Sequence, residues 1–239
     1  MKNLLIASTS TLPDSDYLEY LLEEIKLLFS GCNEVLFIPY ARPGGISHVE
    51  YTAKAATAFA KIGIDLRGIN EFKDATEAVQ SAQGIFTGGG NTFLLVSKLY
   101  ENKLISVLTS VILNGIPYLG CSAGSNIAGQ TMQTTNDMPI VYPESFTTLG
   151  LLPFNLNPHY LDPQPDLKHM GETRETRIRE YHVFNETPVV GLREGSWLRV
   201  NDNTIILKGE HSARLFRFDK NPVEVASGTD LRDTNNIKA

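Results

Sequence analysis

From its start to about residue 120, this chain alternates short apolar runs with longer segments of helical period, and this alternation restricts its fold more than any other feature. The apolar run at residues 2–7 predicts a strand, and the three- and four-residue spacing of apolar side chains at 17–29 predicts an amphipathic helix. Further strands are predicted at 34–38, 64–67, 84–87 and 116–119, and further helices at 49–62, 74–82, 93–100 and 104–113. Repeated strand-helix units build a mostly parallel sheet sandwiched by helices, so we predict an α/β fold.

The later part of the chain has a different character. Proline and asparagine are frequent at 134–166, which predicts a long loop of functional importance. Residues 171–184 return to a helical pattern, and short strands in hairpins are predicted at 189–192, 197–200, 204–207, 215–218 and 223–226. Since no linker or internal repeat divides the sequence, we expect one domain over residues 1–229 and a polar, frayed tail over 230–239.

The composition excludes several classes of protein. With 239 residues, of which 42% are hydrophobic, the chain can bury a core without disulfides or metal. Its formal charge of -6 and the lack of a Lys/Arg run argue against nucleic-acid binding, and no apolar run approaches the roughly 20 residues that span a membrane. Cys32 and Cys121 follow no spacing motif, so we expect a cytoplasmic protein without a disulfide framework or metal site.

The most specific motif is Gly-Cys-Ser-Ala-Gly at residues 120–124, a GxSxG that directly follows a predicted strand and precedes a small-residue helix. A tight turn of this kind, a nucleophile elbow, exposes the serine hydroxyl, and the helix N-terminus favours developing negative charge. Ser122 is therefore the candidate nucleophile. The alternative is an ordinary glycine-rich turn, which the flanking strand and helix make the weaker interpretation.

A second glycine-rich turn, Gly-Gly-Gly-Asn at residues 88–91, ends the preceding predicted strand. In a parallel sheet the carboxyl ends of neighbouring strands meet at one edge, so this turn should lie beside Ser122. Glycine allows a backbone N–H to approach an oxyanion, which makes the amides near Gly90 and of Ala123 candidate donors. The turn lacks the pattern of a phosphate-binding loop, and Asn91 can equally cap the following helix.

A serine nucleophile requires a base and an acid that orients it. His159 ends the proline-stiffened run Leu-Asn-Pro-His at 156–159 and is modestly favoured over His48. Asp137 lies on the loop shortly after the nucleophile, and Glu194 follows a predicted buried strand. Spacing alone does not decide between the two acids.

Two arginines share a helical face close in sequence to His159. Arg174 and Arg177 are three residues apart in a segment rich in glutamate and arginine. Their guanidinium groups could bind a substrate carboxylate, although the charge pattern by itself favours a solvated helix with Glu/Arg pairs.

Together these motifs resemble the peptidase E family, cytoplasmic serine peptidases that act as α-aspartyl dipeptidases. The matching segments, which span nearly the whole chain, lie at residues 10–13, 35–39, 88–93, 120–126, 134–141, 157–159 and 171–175. Position by position, the resemblance implies Ser122 as nucleophile, His159 as base and Asp137 as the acid usually assigned, with Glu194 as a second acid discussed for the family. Cys121 departs from the tryptophan of familiar relatives and is expected to pack inward.

The resemblance also implies a fold and a reaction. The fold is similar to class I glutamine amidotransferases and flavodoxin-like proteins, and the reaction is the hydrolysis of Asp-Xaa dipeptides through an acyl-enzyme on Ser122. Gly90 and Ala123 would bind the oxyanion, Arg174 or Arg177 the substrate aspartate, and no cofactor is expected. Whether such a protein is a monomer or a homodimer stays open.

Two other functions remain in view. A related serine hydrolase could cleave β-aspartyl linkages or esters, although the short spacing from Ser122 to His159 is unusual for an α/β-hydrolase esterase. A non-catalytic module that binds aspartyl peptides is less favoured, because every candidate catalytic side chain is present.

Overall fold

The computed structural model describes residues 1–163 and 171–237. Within these ranges the strands are β1 (Asn3–Ala7), β2 (Glu34–Ile38), β3 (Asp65–Gly68), β4 (Ile85–Thr87), β5 (Tyr118–Cys121), β6 (Asn155–Pro158), β7 (Val189–Leu192), β8 (Ser196–Asn201), β9 (Thr204–Gly209), β10 (Ala213–Phe216) and β11 (Val223–Val225). The α-helices there are α1 (Leu22–Leu28), α2 (His48–Ala60), α3 (Ala75–Ser81), α4 (Thr92–Glu101), α5 (Ile105–Leu113), α6 (Ala123–Asn126) and α7 (Arg174–Tyr181). The predicted helix at 17–29 is shorter than expected, because a 3-10 turn at Glu19–Leu21 precedes α1.

A large sheet carries most of these elements. Within the described part of the chain its strand order is β3-β2-β4-β5-β1-β8-β9. The five strands from β3 to β1 are parallel to one another, β8 pairs antiparallel with β1, and β9 pairs antiparallel with β8. Alternate residues of β1 enter two separate cores, Leu4 and Ile6 on one face and Leu5 and Ala7 on the other. Both faces of the sheet are therefore buried, which explains why its strands are continuous apolar runs. The predicted α/β fold is confirmed.

A smaller sheet has the order β11-β10-β7-β6, and β6 and β7 are its parallel pair. The prediction of hairpins is wrong for residues 189–200: β7 pairs with β6 and β10, whereas β8 crosses into the large sheet beside β1. The strand β6 lies inside the stretch predicted as a loop at 134–166, of which residues 164–166 are outside the described ranges.

The expectation of a frayed tail from residue 230 is wrong as far as Ile237. Leu231 is fully buried, and the Asp230 carboxylate accepts a hydrogen bond from the backbone N–H of Ile205. Arg217 Nη1 donates to three backbone carbonyl oxygens in the last turn, at residues 234, 235 and 237. The two residues that follow Ile237 lie outside the described ranges, within which no helix has the length and apolar character needed to span a membrane.

Candidate active site

Ser122 occupies the turn between β5 and α6, where its φ of 55° and ψ of -111° lie in a region that side-chain-bearing residues rarely adopt. Two glycines make this turn sterically possible. A Cβ on Gly124 would lie 2.1 Å from the carbonyl oxygen of Thr87, and a Cβ on Gly120 would lie 2.5 Å from the carbonyl oxygen of Gly124. The spacing of the GxSxG motif is therefore required by close contacts within the turn, at Gly120, and with the adjacent strand β4, at Gly124.

His159 follows β6 directly, and its φ is also positive, at 54°. Its backbone N–H donates to the Ser8 hydroxyl at 2.9 Å, and that hydroxyl donates to the carbonyl oxygen of Leu192 at 2.7 Å. Since Ser8 comes directly after β1 and Leu192 ends β7, this short chain joins the carboxyl ends of three strands. It fixes the backbone from which the imidazole extends.

The side chains of Ser122, His159 and Glu194 form a continuous hydrogen-bonded series. His159 Nε2 lies 2.8 Å from Ser122 Oγ, and His159 Nδ1 lies 2.6 Å from Glu194 Oε1. An ionised carboxylate can only accept, so Nδ1 carries the proton and the Nε2 lone pair faces the serine hydroxyl. The arrangement can thus remove the hydroxyl proton as the oxygen attacks an electrophile.

The parallel pairing of β6 and β7 explains why His159 and Glu194 meet. Pro158 and Leu192 are partners in the register of the two strands, so the residues that follow them emerge at the same edge of the small sheet. The chain then turns to enter β8, and Glu194 lies on this turn.

Asp137, favoured as the acid by the resemblance, has other partners. Its Oδ2 accepts hydrogen bonds from the backbone N–H and the hydroxyl of Thr92, at 2.7 and 2.6 Å, and from the Thr135 hydroxyl at 3.1 Å. Thr92 is the first residue of α4, where a carboxylate is stabilised by the free amides of the helix N-terminus. The geometry therefore favours Glu194 over Asp137 as the group that orients His159.

The loop around Asp137 forms one wall of the cleft at Ser122. The Asn136 amide donates to the carbonyl oxygen of Pro158, and the Asn157 amide donates to Asn136 Oδ1 and to the backbone of Thr134. This loop is thereby tied to the end of β6, directly beside His159. Sequence reasoning did not identify Ser8, Thr92 or Asn157; the position of Asn157 within the Asn-Pro-His run was the available signal.

The glycine turn after β4 presents one free amide. The backbone N–H groups of Gly88, Gly89 and Asn91 each donate a hydrogen bond inside the fold. The N–H of Gly90 has no hydrogen-bond partner in the described part of the chain. Gly90 has a φ of 145°, and a Cβ there would lie 2.2 Å from the carbonyl oxygen of Ala41, so this position requires glycine. Asn91 also caps α4 through its side chain, as the sequence allowed.

The two candidate arginines differ in their surroundings. Arg177 is exposed, its Nε lies 3.7 Å from a Glu172 carboxylate oxygen, and it lines a cavity beside the aromatic ring of Phe93. Arg174 is half-buried and makes no ion pair within residues 1–163 and 171–237. Burial and the neighbouring charge of Arg177 lower the pKa of Arg174, while Asp137, on the loop that lines the cleft, acts in the opposite direction.

The remaining candidates lie apart from this series. Cys121 is fully buried, and burial raises the pKa of its thiol, so it packs inward as expected. His48 begins α2, where its ring is 5.8 Å from that of Tyr40. Two histidines that the sequence did not single out are His182, which directly follows α7 and donates from Nδ1 to the carbonyl oxygen of Asn185, and His169, which lies outside the described residues.

Comparison with known proteins identifies relatives along almost the whole sequence. Residues 4–208 match the sequence profile of peptidase family S51. The chain is 47% identical over 236 residues to peptidase E of Streptomyces coelicolor, covering 99% of this chain and 96% of that protein. It is 44% identical over 233 residues to a probable alpha-aspartyl dipeptidase of Drosophila melanogaster, covering 96% of each. The crystal structure of a peptidase from an acI-B1 actinobacterium has a similar fold, with a TM-score of 0.71 at 17% identity over 96% of each chain.

Proposed function

Because this chain belongs to peptidase family S51 and is a peptide-bond hydrolase, we propose that it is a serine-type dipeptidase that cleaves dipeptides with N-terminal aspartate. The observation that carries the proposal is the 2.8 Å contact between Ser122 Oγ and His159 Nε2, with Glu194 on the other ring nitrogen. The substrate class follows from the alpha-aspartyl dipeptidase among the relatives.

In the first half of the reaction, Ser122 Oγ attacks the carbonyl carbon of the substrate aspartate while His159 Nε2 takes the hydroxyl proton. The Glu194 carboxylate stabilises the resulting imidazolium. The backbone N–H groups of Gly90 and Ala123 donate to the oxyanion, because neither donates a hydrogen bond within the described part of the chain. The imidazolium then gives its proton to the leaving amine, the C–N bond breaks, and an aspartyl ester of Ser122 remains.

Water completes the cycle. His159 takes a proton from the water as its oxygen attacks the ester carbonyl, and then returns that proton to Ser122 Oγ as free aspartate leaves. The aspartate side chain has to be recognised by a cation, and Arg174 is the better candidate because it is half-buried and lacks a carboxylate partner among the described residues. Arg177, which is exposed and close to Glu172, is the weaker one.

Hydrolysis of defined substrates by the parent protein and a Ser122→Ala variant tests this proposal. We expect the parent to hydrolyse Asp-Leu and to leave Leu-Leu, Ala-Ala and short-chain nitrophenyl esters intact. The variant should lose about 10⁴-fold or more in kcat, since removing the nucleophile of a serine hydrolase has effects of that order. A fluorophosphonate should add one covalent group to the parent at Ser122 and none to the variant.

Three outcomes would contradict the proposal in different ways. Strong ester turnover or cleavage of β-Asp-Leu with inert Asp-Leu would show another specificity. Binding of Asp-Leu without hydrolysis would indicate a binding module. Full activity of the Ser122→Ala variant would exclude the acyl-enzyme. Location in the cytoplasm, a monomeric or homodimeric state and a single domain over residues 1–229 stay predictions.

A further inference from the structure

A buried tyrosine lies directly behind the glycine turn that carries the Gly90 amide. Tyr51, on α2, is only 1% exposed, and a Cβ on Gly88 would lie 2.5 Å from its hydroxyl oxygen. On the other side of the same turn, a Cβ on Gly89 would lie 3.0 Å from the Cβ of Ser122. The turn is therefore confined between the Tyr51 hydroxyl and the candidate nucleophile, with no room for a side chain on Gly88 and only a tight fit for one on Gly89.

The Tyr51 hydroxyl has a complete set of hydrogen bonds, and two of them go to one glycine. It accepts from the backbone N–H of Gly89 at 3.0 Å and donates to the carbonyl oxygen of Gly89 at 3.3 Å. It also accepts from the Tyr17 hydroxyl at 3.3 Å. One donor proton and two acceptor positions are all that a phenol offers, so this hydroxyl is fully used in holding the turn and contacting Tyr17.

These contacts determine the direction of the next amide. The peptide bond between Gly89 and Gly90 is trans, so the carbonyl of Gly89 and the N–H of Gly90 point in opposite directions across one rigid plane. Because the carbonyl points at Tyr51, the Gly90 N–H points away from it. Glycine has little conformational preference of its own, so without the hydroxyl this peptide plane could rotate.

The aromatic ring of Tyr51 is itself held firmly. Phe37 packs edge-on against it with ring centroids 5.0 Å apart, and the guanidinium carbon of Arg42 lies 4.5 Å from the ring centroid. A hydroxyl on so constrained a ring is a fixed reference point for the backbone that it contacts.

We propose that Tyr51 is a positioning residue of the reaction, whose hydroxyl orients the Gly89–Gly90 peptide so that the Gly90 N–H is directed at the developing oxyanion. The inference rests on the proposed function, because it requires an acyl transfer at Ser122. Tyr51 touches neither substrate nor the reacting atoms. Its effect should therefore be on the transition state, in which the oxyanion exists, and not on binding of the ground state.

The test compares Tyr51→Phe with Tyr17→Phe as a matched control. Both variants lose one hydroxyl from the same buried cluster, but only Tyr51 contacts the glycine turn. Loss of an oxyanion donor costs about 10²–10³-fold in kcat, and a donor that is present but misdirected should cost about 30-fold. For Tyr51→Phe we therefore expect kcat for Asp-Leu to fall by about 30-fold with KM nearly unchanged. For Tyr17→Phe we expect kcat to change by less than about threefold.

Binding measurements separate positioning from a general loss of structure. A boronic acid analogue of aspartate forms a tetrahedral adduct with an active-site serine, and its affinity should fall by the same factor as kcat in Tyr51→Phe. The affinity for the product aspartate should be unchanged. If Ser122→Ala is inactive while Tyr51→Phe keeps the parent's kcat and boronate affinity, the positioning role is refuted and the proposed function stands. If Ser122→Ala is fully active, the proposed function itself fails.

A second measurement uses the unmodified protein and does not depend on the variant folding. In amide NMR spectra the Gly89 N–H should be protected from hydrogen exchange by its bond to Tyr51, and the Gly90 N–H should exchange rapidly. On addition of the boronate, the Gly90 resonance should shift and become protected while that of Gly89 changes little. A boronate response at Gly89 and none at Gly90 would overturn the inference.

Discussion

Replacing Glu194 by glutamine should impair catalysis far more than replacing Asp137 by asparagine. Glutamine keeps an oxygen that can accept from His159 Nδ1, so the substitution removes the charge and leaves the geometry. Asparagine at position 137 likewise keeps an acceptor for the Thr92 and Thr135 donors. The two variants therefore form a matched pair in which only one carboxylate contacts the imidazole.

The size of the effect follows from the charge interaction that is lost. An imidazolium and a carboxylate with charge centres about 4 Å apart attract by about 1 kcal/mol at the dielectric constant of water and by about 4 kcal/mol at an effective value of about 20. The side chains of His159 and Glu194 are 36% and 45% exposed, so the interaction should lie between these limits. Each factor of ten in rate corresponds to about 1.4 kcal/mol in the activation free energy. An interaction between the two limits therefore predicts that Glu194→Gln lowers kcat for Asp-Leu by about 100-fold.

For Asp137→Asn we expect less than about a tenfold loss in kcat, together with a destabilisation of about 1 kcal/mol from the lost charge at the N-terminus of α4. The assays are steady-state hydrolysis of Asp-Leu and urea unfolding, with exposed Glu186→Gln as the control for removal of one charge. A loss above about 100-fold in Asp137→Asn together with a nearly unaffected Glu194→Gln would refute the assignment of the acid from the geometry.

Three further predictions concern the turn, the pH dependence of stability and the substrate carboxylate. Gly124→Ala forces a Cβ to within 2.1 Å of a backbone carbonyl oxygen and should lower the free energy of unfolding in urea by about 3 kcal/mol. Gly44→Ala is the control and should have almost no effect, because nothing lies within 4 Å of a Cβ at that position. Burial alone would raise the pKa of Glu224, but hydrogen bonds from two arginines and a serine outweigh burial and lower this pKa to about 2. The ionised Glu224 therefore stabilises the fold at pH values above its ordinary pKa, and this stabilisation is lost as the pH falls towards 2. In Glu224→Gln the free energy of unfolding should fall less steeply as the pH falls from the ordinary glutamate pKa to about 2. Arg174→Met should raise KM for Asp-Leu about 100-fold and Arg177→Met less than about fivefold; equal effects would contradict the choice of Arg174.

Much of the large sheet could be predicted because its strands are buried on both faces. A strand such as β1 contributes alternate residues to two cores, so it appears in the sequence as an uninterrupted apolar run between helical segments. The turn at Ser122 was also predictable, since its glycines are required by contacts within about five residues or with the adjacent strand. Local patterns thus contain the information for this part of the site.

The identity of the acid that orients His159 could not be predicted, because it depends on strand β6, which the sequence pattern does not indicate. In β6 the residues Asn155, Asn157 and Pro158 are poor strand formers, yet all are buried, and the side chain of Asn155 accepts hydrogen bonds from the backbone amides of residues 130 and 131. This strand is held in place by hydrogen bonds of side-chain amides, and it lacks the apolar pattern by which a strand is recognised in a sequence. With β6 assigned to a loop, nothing indicated that His159 and Glu194 leave neighbouring parallel strands.

The error over the hairpins has a related cause. Strands β7 and β8 are separated by only three residues, and such spacing is typical of a hairpin. Instead, β7 ends in the small sheet and β8 begins in the large one. The choice between these arrangements depends on which partners are available at a distance in sequence, and no local pattern reports it.

The same crossing between sheets explains how two strained residues can be kept in place. Ser122 and His159 both have φ near +55°, a conformation that costs about 1–3 kcal/mol for such residues and persists only where the surroundings enforce it. The large sheet holds Ser122 through its flanking glycines, and the small sheet holds His159 through β6. The Ser8 hydroxyl, which accepts from His159 N–H and donates to the end of β7, connects the two sheets at this point. Since the connection from β7 to β8 spans only three residues, neither sheet can shift far against the other, and the contact between nucleophile and base is a consequence of how the two sheets are joined.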